Sequence, residues 1–142
     1  MKYLLLIYMT EDAMTPPERE QCYVDSTKLC HDLHSAGRFL GANPLHPVAT
    51  ATSLRIREGK RLVTDGPFAE TKELIAGFWI WRVKSKQEAI EWVKRCPNPT
   101  GAEAEIEIRQ IFEAEDFGEA FTPELREKED RLRAKIEQQQ KA

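Results

Sequence analysis

The side chains best suited to chemistry fall into two charged groups and a few isolated residues. Arg55 and Arg57 stand two apart in an alternating stretch, so they share one face of a strand. Arg109 lies on the polar side of a later alternating stretch. Guanidinium groups grip carboxylates through paired N–H donors, so the three arginines, if they converge, make an anion site. Glu105 and Glu107 compete for them through cross-strand ion pairs. The second group is Asp65, Glu70 and Glu73 around Lys72. Carboxylates crowded around one ammonium can hold a general acid or base with a shifted pKa. Asp65 and Glu70 are the acid–base candidates, and Lys72 adds a cation for an anionic ligand. Two plainer roles compete. An Asp before Gly66-Pro67 readily fixes a turn by accepting from nearby amides, and a surface ion-pair cluster contributes little.

His46, between Pro44 and Pro47, is the histidine best placed for proton transfer. His31 and His34 lie three apart with Cys30 nearby, a spacing that can seat a metal on a helix. No distant fourth ligand accompanies them, and although the carboxylates of the second group could hold a divalent ion, Lys72 already supplies positive charge in their midst; neither a metal nor a cofactor is expected. Cys96 precedes Pro97 without a neighbouring histidine and reads as a buried thiol at a helix end. The glycine-loop, nucleophile-elbow and paired-histidine zinc motifs are absent from the sequence.

These groups need a scaffold, and the apolar pattern supplies one. The run in residues 2–8 reads as a buried strand. Thr15, Pro16 and Glu18 open a helix with a capping box, expected to run to Ala36, with Gly37 as its left-handed stop. Asn43, Pro44 and Pro47 mark a loop. Val48–Arg57 alternates as a strand, turns at Glu58-Gly59-Lys60 and returns over Arg61–Thr64. Ala76–Lys84 is a strand apolar on both faces. Ser85 and Glu88 start a second helix that ends before Pro97, and Ala104–Phe112 is the last strand. This order is the ferredoxin-like β-α-β-β-α-β series of an α+β fold, with an elaborated middle hairpin. Two helices cover one face of such a sheet. Trp79, Trp81 and Val83 are then expected to need a second copy's sheet over them, which predicts a homodimer. The two tryptophans fit core or dimer packing better than the wall of a ligand cleft. Thr122-Pro123-Glu124 begins a C-terminal helix with a sparse apolar stripe of Leu125, Leu132 and Ile136. It suits a solvated tail, or an arm packed on a partner subunit.

The whole chain sets limits on function. Its 142 residues suit one domain, here residues 1–117, followed by a helical extension over 118–142. With 21 basic and 24 acidic residues the net charge is −3, which argues against direct nucleic-acid binding. No apolar run approaches the ~20 residues of a membrane span. Three cysteines at no metal-like spacing read as reduced thiols in a cytoplasm.

The segment VTDGPFAETKE, Val63 to Glu73, resembles the signature of the DGPF branch of the YCII-related family. MKYLLLIY at the start, the long stretch from AGRFLGANP to FWIWRV, EAIEWVKRCP and AEIEIRQI are similar to that family in the same order. The resemblance spans roughly residues 1–117 and implies a ferredoxin-like fold assembled as a dimeric α+β barrel. A related branch carries a His–Asp pair proposed to be catalytic. The corresponding positions here are Ser26 and Cys96, so that mechanism does not carry over. Genes of the DGPF branch often neighbour genes for extracytoplasmic-function sigma factors, which implies a possible regulatory partner. The expectation is a protein that binds, or binds and acts on, a small anionic metabolite at a cleft or dimer seam. The alternative is a non-enzymatic regulatory or interaction protein linked to such a sigma factor.

Overall fold

The computed structural model describes residues 1–10, 12–66, 74–98 and 104–142. Two units compose it, Met1–Gln110 and Ile111–Ala142. In the first, the apolar run after Met1 forms strand β1 (Lys2–Met9). Both its edges are paired antiparallel, one with β5 (Leu74–Arg82) and one with β6 (Glu105–Gln110). Strand β2 (Phe39–Pro44) takes the far edge of β5, giving the order β2-β5-β1-β6. Helix α1 (Pro16–Ser35) joins β1 to β2, and α2 (Lys86–Val93) joins β5 to β6. This is the expected ferredoxin-like path. Its elaboration is a separate two-stranded hairpin of β3 (Thr52–Arg57) and β4 (Lys60–Asp65) between β2 and β5.

Local chemistry sets the helix ends. The Glu18 carboxylate accepts from the Thr15 backbone N–H at 2.8 Å, satisfying one amide left open at the start of α1. That bond holds the Glu18 carboxyl below the usual range. Gly37, at φ 71°, reverses the chain after α1, and the Arg38 N–H donates to the Leu33 carbonyl at 2.8 Å. At α2, Ser85 Oγ accepts from the Glu88 N–H at 3.1 Å.

The core lies between the helices and one sheet face. Tyr3 and Leu5 of β1, Trp79 and Trp81 of β5, and Val83 just beyond it pack under Leu29 and Leu33 of α1 and Ala89 of α2. In register, Leu5 stands opposite Trp79 and Tyr3 opposite Trp81. The indoles meet edge to face with centroids 5.5 Å apart. This corrects one expectation. Trp79, Trp81 and Val83 are buried beneath the chain's own helices and do not wait for a second sheet. Alternation instead sends Leu4, Leu6, Phe78 and Ile80 to the opposite face, where they are half-buried. Neither α1 nor α2 covers that face, because both direct their buried residues to the other.

The second correction concerns the strand after α1. Val48–Arg57 does not join the main sheet as one strand. Val48–Thr50 is a 3-10 turn, and β3 pairs with β4. The sheet position is filled by β2, in a segment marked above only by its loop residues. Gly41 and Pro44 are poor strand residues, and the register slips between Phe39 and Gly41. β2 is an edge strand, where a missing proline N–H is tolerated.

In the second unit α3 (Pro123–Lys141) starts at Thr122, whose Oγ1 accepts from the Leu125 N–H at 3.3 Å. Ion pairs Glu127–Arg131 and Glu129–Arg133 lie along it. Leu125, Leu132 and Ile136 are exposed. Before it, Phe117 contacts the rings of Phe112 and Phe121, at 5.3 and 4.8 Å between centroids. No helix among the described residues is long and apolar enough to cross a membrane.

Glu88 ties β2 to α2. Its carboxylate accepts from the Lys84 backbone N–H at 2.7 Å and from Arg38 Nε at 2.6 Å, and both side chains of the ion pair are about three-quarters buried. The Lys84 amide first, and Arg38 after it, hold the Glu88 carboxyl below its usual range. A depressed folded-state pKa gives stability that is complete above the unfolded value of about 4.3 and is lost as pH falls through the folded value. Glu88→Gln therefore lowers stability at neutral pH. In urea melts its deficit against the wild type shrinks as the pH is taken from about 6 to about 3. A deficit independent of pH would contradict this account.

Candidate functional site

Among the described residues, the sheet face that α1 and α2 do not cover carries a polar constellation with defined geometry. Its centre is Leu4, Leu6, Phe78 and Ile80, with Leu4 opposite Ile80 and Leu6 opposite Phe78. Along β6 the same face presents Glu105, Glu107 and Arg109, opposite Tyr8, Leu6 and Leu4 of β1. The Tyr8 hydroxyl donates to Glu107 Oε2 at 3.0 Å. The other oxygen, Oε1, lies 3.9 Å from Arg109 Nε. Tyr8 and Glu107 are diagonal neighbours across the ladder, within reach of a long side chain. The hydrogen bond to Glu107, followed by burial and the charges of Glu107 and Glu105, pushes the Tyr8 phenol up. Arg109 is two-thirds exposed, and its long contact with Glu107 leaves donors for another anion. A phenol, a carboxylate and a guanidinium thus border an apolar surface. Such a surface suits a small molecule with an apolar body and an acidic end.

The residues singled out in the sequence are distributed differently. Arg55 and Arg57 share a face, as expected, but they lie on β3, opposite Leu62 and Lys60. Arg109 belongs to the other sheet, so no one sheet gathers all three arginines. The Glu107–Arg109 contact runs along β6 rather than across strands. Asp65 closes the open end of the hairpin, where its carboxylate accepts from Thr52 Oγ1 at 3.0 Å. The next residue completes this clasp. The Gly66 N–H donates to the Ala51 carbonyl at 2.7 Å, and a Cβ on Gly66 would stand 2.2 Å from the Val48 carbonyl oxygen. Asp65 is thus bound to the Thr52 side chain and Gly66 to the chain's own backbone. Glu70, Lys72 and Glu73 lie outside the described residues. His46 is exposed beyond β2, next to Leu45, whose N–H donates to the Ala76 carbonyl at 2.8 Å. His31 and His34 are exposed on α1. Burial, with a smaller contribution from Cys22, pushes the Cys96 thiol up to about 12, which leaves little thiolate at neutral pH. Ser26 Oγ lies 3.9 Å from Cys22 Sγ. Among the described residues no three His, Cys, Asp or Glu side chains gather as a metal site.

Sequence reasoning missed Tyr8 and treated Glu107 only as a competitor for arginines. The signal was present in two alternations. Leu4, Leu6 and Tyr8 of the first strand end on a polar ring, and the last strand sets Glu105, Glu107 and Arg109 on one face.

Comparison with known proteins bears on the whole first unit. The family model for the YCII-related domain matches residues 1–115. An uncharacterised protein of Rhizobium meliloti (strain 1021) is 31% identical over 114 residues, covering 78% of this chain and 92% of that protein.

Two measurements check this geometry. In an ultraviolet pH titration, with Tyr8→Phe identifying the signal, the Tyr8 phenol ionises above the ordinary tyrosine value of about 10, and Glu107→Gln brings it down. Gly66→Ala forces the Val48 carbonyl away and lowers stability by about 1–3 kcal/mol in thermal melts. An unchanged melt would remove the clasp from the account.

Proposed function

The chain belongs to the YCII-related family, and from that premise we propose that it works as a homodimer binding a small anionic metabolite at the seam over its open sheet face. The carrying observation is the Tyr8–Glu107–Arg109 group on the border of an apolar surface that α1 and α2 leave bare. Pairing two such faces about a twofold axis removes their half-buried leucine, isoleucine and phenylalanine side chains from water. It also encloses the polar group, where a guanidinium binds a carboxylate more strongly than in open solvent. Glu107 positions Tyr8 and Arg109, Arg109 holds the ligand's carboxylate, and the Tyr8 oxygen, its proton given to Glu107, accepts from a donor on the ligand. The three free cysteines suit a reducing, cytoplasmic setting.

The test is a thermal-shift screen of small mono- and dicarboxylic acids and their lactones. Binding to the native state raises the melting temperature by mass action. At least one acid is expected to raise that of the wild type, Arg109→Ala to lose at least tenfold in affinity for it, and Arg131→Ala, on α3, to keep it. Equal shifts in the wild type and Arg109→Ala would refute the site.

A further inference from the structure

The hairpin of β3 and β4 forms a sheet of its own, apart from the main one. Its register sorts the side chains onto two faces. Leu54, Ile56, Val63 and Arg61 share one; Arg55, Arg57, Lys60 and Leu62 share the other. Leu54, Ile56 and Val63 are 55, 64 and 66% exposed. A lone two-stranded hairpin is marginal in water unless one face is covered. Its four cations stand against only Glu58 and Asp65 in the same segment. Among the described residues none of the four forms an ion pair.

The open sheet face offers the complementary surface. It has an apolar centre, and Glu105 and Glu107 lie on its β6 side. A chain's own hairpin is rooted at the opposite edge. It follows β2, while β6 lies three strands away, roughly 14 Å at the usual strand spacing. A second copy removes that distance. A twofold axis running along the strands between two facing sheets sets β2 of one copy over β6 of the other, with the strand ends kept level. The ends then match. Pro44 of β2 pairs with Gly77, Gly77 with Ile7, and Ile7 with Ile106. The end of β2, from which the chain leads to the hairpin, is therefore level with Tyr8, Glu105 and Glu107.

Resting on the homodimer reading above, we propose that the hairpin of each copy is a clamp that lies across the β6 side of the other copy's open face. Leu54, Ile56 and Val63 cover Leu6 and Tyr8 there, and Arg61 meets Glu105 and Glu107. The occupant of the bare hairpin face is thus a second copy of this chain. The Tyr8–Glu107–Arg109 site is closed by the neighbouring subunit's hairpin, so each site needs both copies.

Hydrogen–deuterium exchange of the full-length wild-type chain, across a dilution series, reads the clamp directly. Residues 52–65 are expected to be protected at concentrations where sedimentation shows dimer, and to lose at least tenfold in protection on dilution to monomer. Charge reversal gives a second reading. Arg61→Glu and Glu107→Arg are each expected to weaken dimerisation about tenfold, and the double variant to recover most of that loss. Circular dichroism checks that each variant is folded, and the exchange result stands on the wild type alone if one is not. A dimer whose hairpin exchanges equally at every concentration, or folded reversals without mutual rescue, would overturn the clamp and leave the seam intact. A chain that stays monomeric at every concentration would overturn both.

Discussion

The structure depends on a mismatch between two covering helices and a two-faced sheet. β1 and β5 are apolar on both faces, but α1 and α2 cover one. The buried face takes the bulkiest groups, Trp79 and Trp81, together with Leu5 and Leu33 at full burial. Dispersion and area removed from water make that side the stable half of the first unit. One indole N–H, that of Trp81, has no acceptor among the described residues, a desolvation cost of about 1–3 kcal/mol that the packing outweighs. The other face keeps Leu4, Leu6, Phe78 and Ile80 half-buried. These four stand in mutual register, Leu4 with Ile80 and Leu6 with Phe78, so they adjoin one another on that face.

The polar groups follow from the same alternation. On β6 the face that loses isoleucines to the core gains Glu105, Glu107 and Arg109. Tyr8 extends β1 to the same end. The chain therefore places this polar group at one end of the face that α1 and α2 leave open, level with the end of β2. Asp65-Gly66 stabilises the root of the hairpin with a side-chain bond, a backbone bond and a close approach that only glycine permits. The described part of the motif forms a clasp at the open end of the β3–β4 hairpin.

Much of the fold was legible because its signals are local. Thr15-Pro16-Glu18 and Gly37 bounded α1, and Ser85-Glu88 opened α2, through capping chemistry that needs no tertiary partner. β2 was not legible. Gly41 and Pro44 weaken a strand whose pairing comes from β5, far along the chain. The alternation through Val48 and Thr50 looked stronger but belongs partly to a turn. The orientation of Trp79 and Trp81 was misread for a related reason. Period two tells which residues share a face, but not which face the helices choose. The same limit hid the site. Arg55, Arg57 and Arg109 are alike in type and alternation, and only the division into two sheets separates them. Tyr8 and Glu107 meet across 99 positions of sequence, a pairing that spacing alone does not contain.

A seam between two copies over the face of Leu4, Leu6, Phe78 and Ile80 would show in the mass of the protein in solution. The most direct measurement is the mass in solution, by light scattering, of the wild type and of Ile80→Lys. Ile80 is half-buried and outside the helix-covered core, so a lysine there is compatible with the fold. The account predicts twice the chain mass for the wild type and a single chain mass for Ile80→Lys, with the same circular dichroism. A wild type at the mass of one chain, or a variant that keeps the doubled mass, would contradict it.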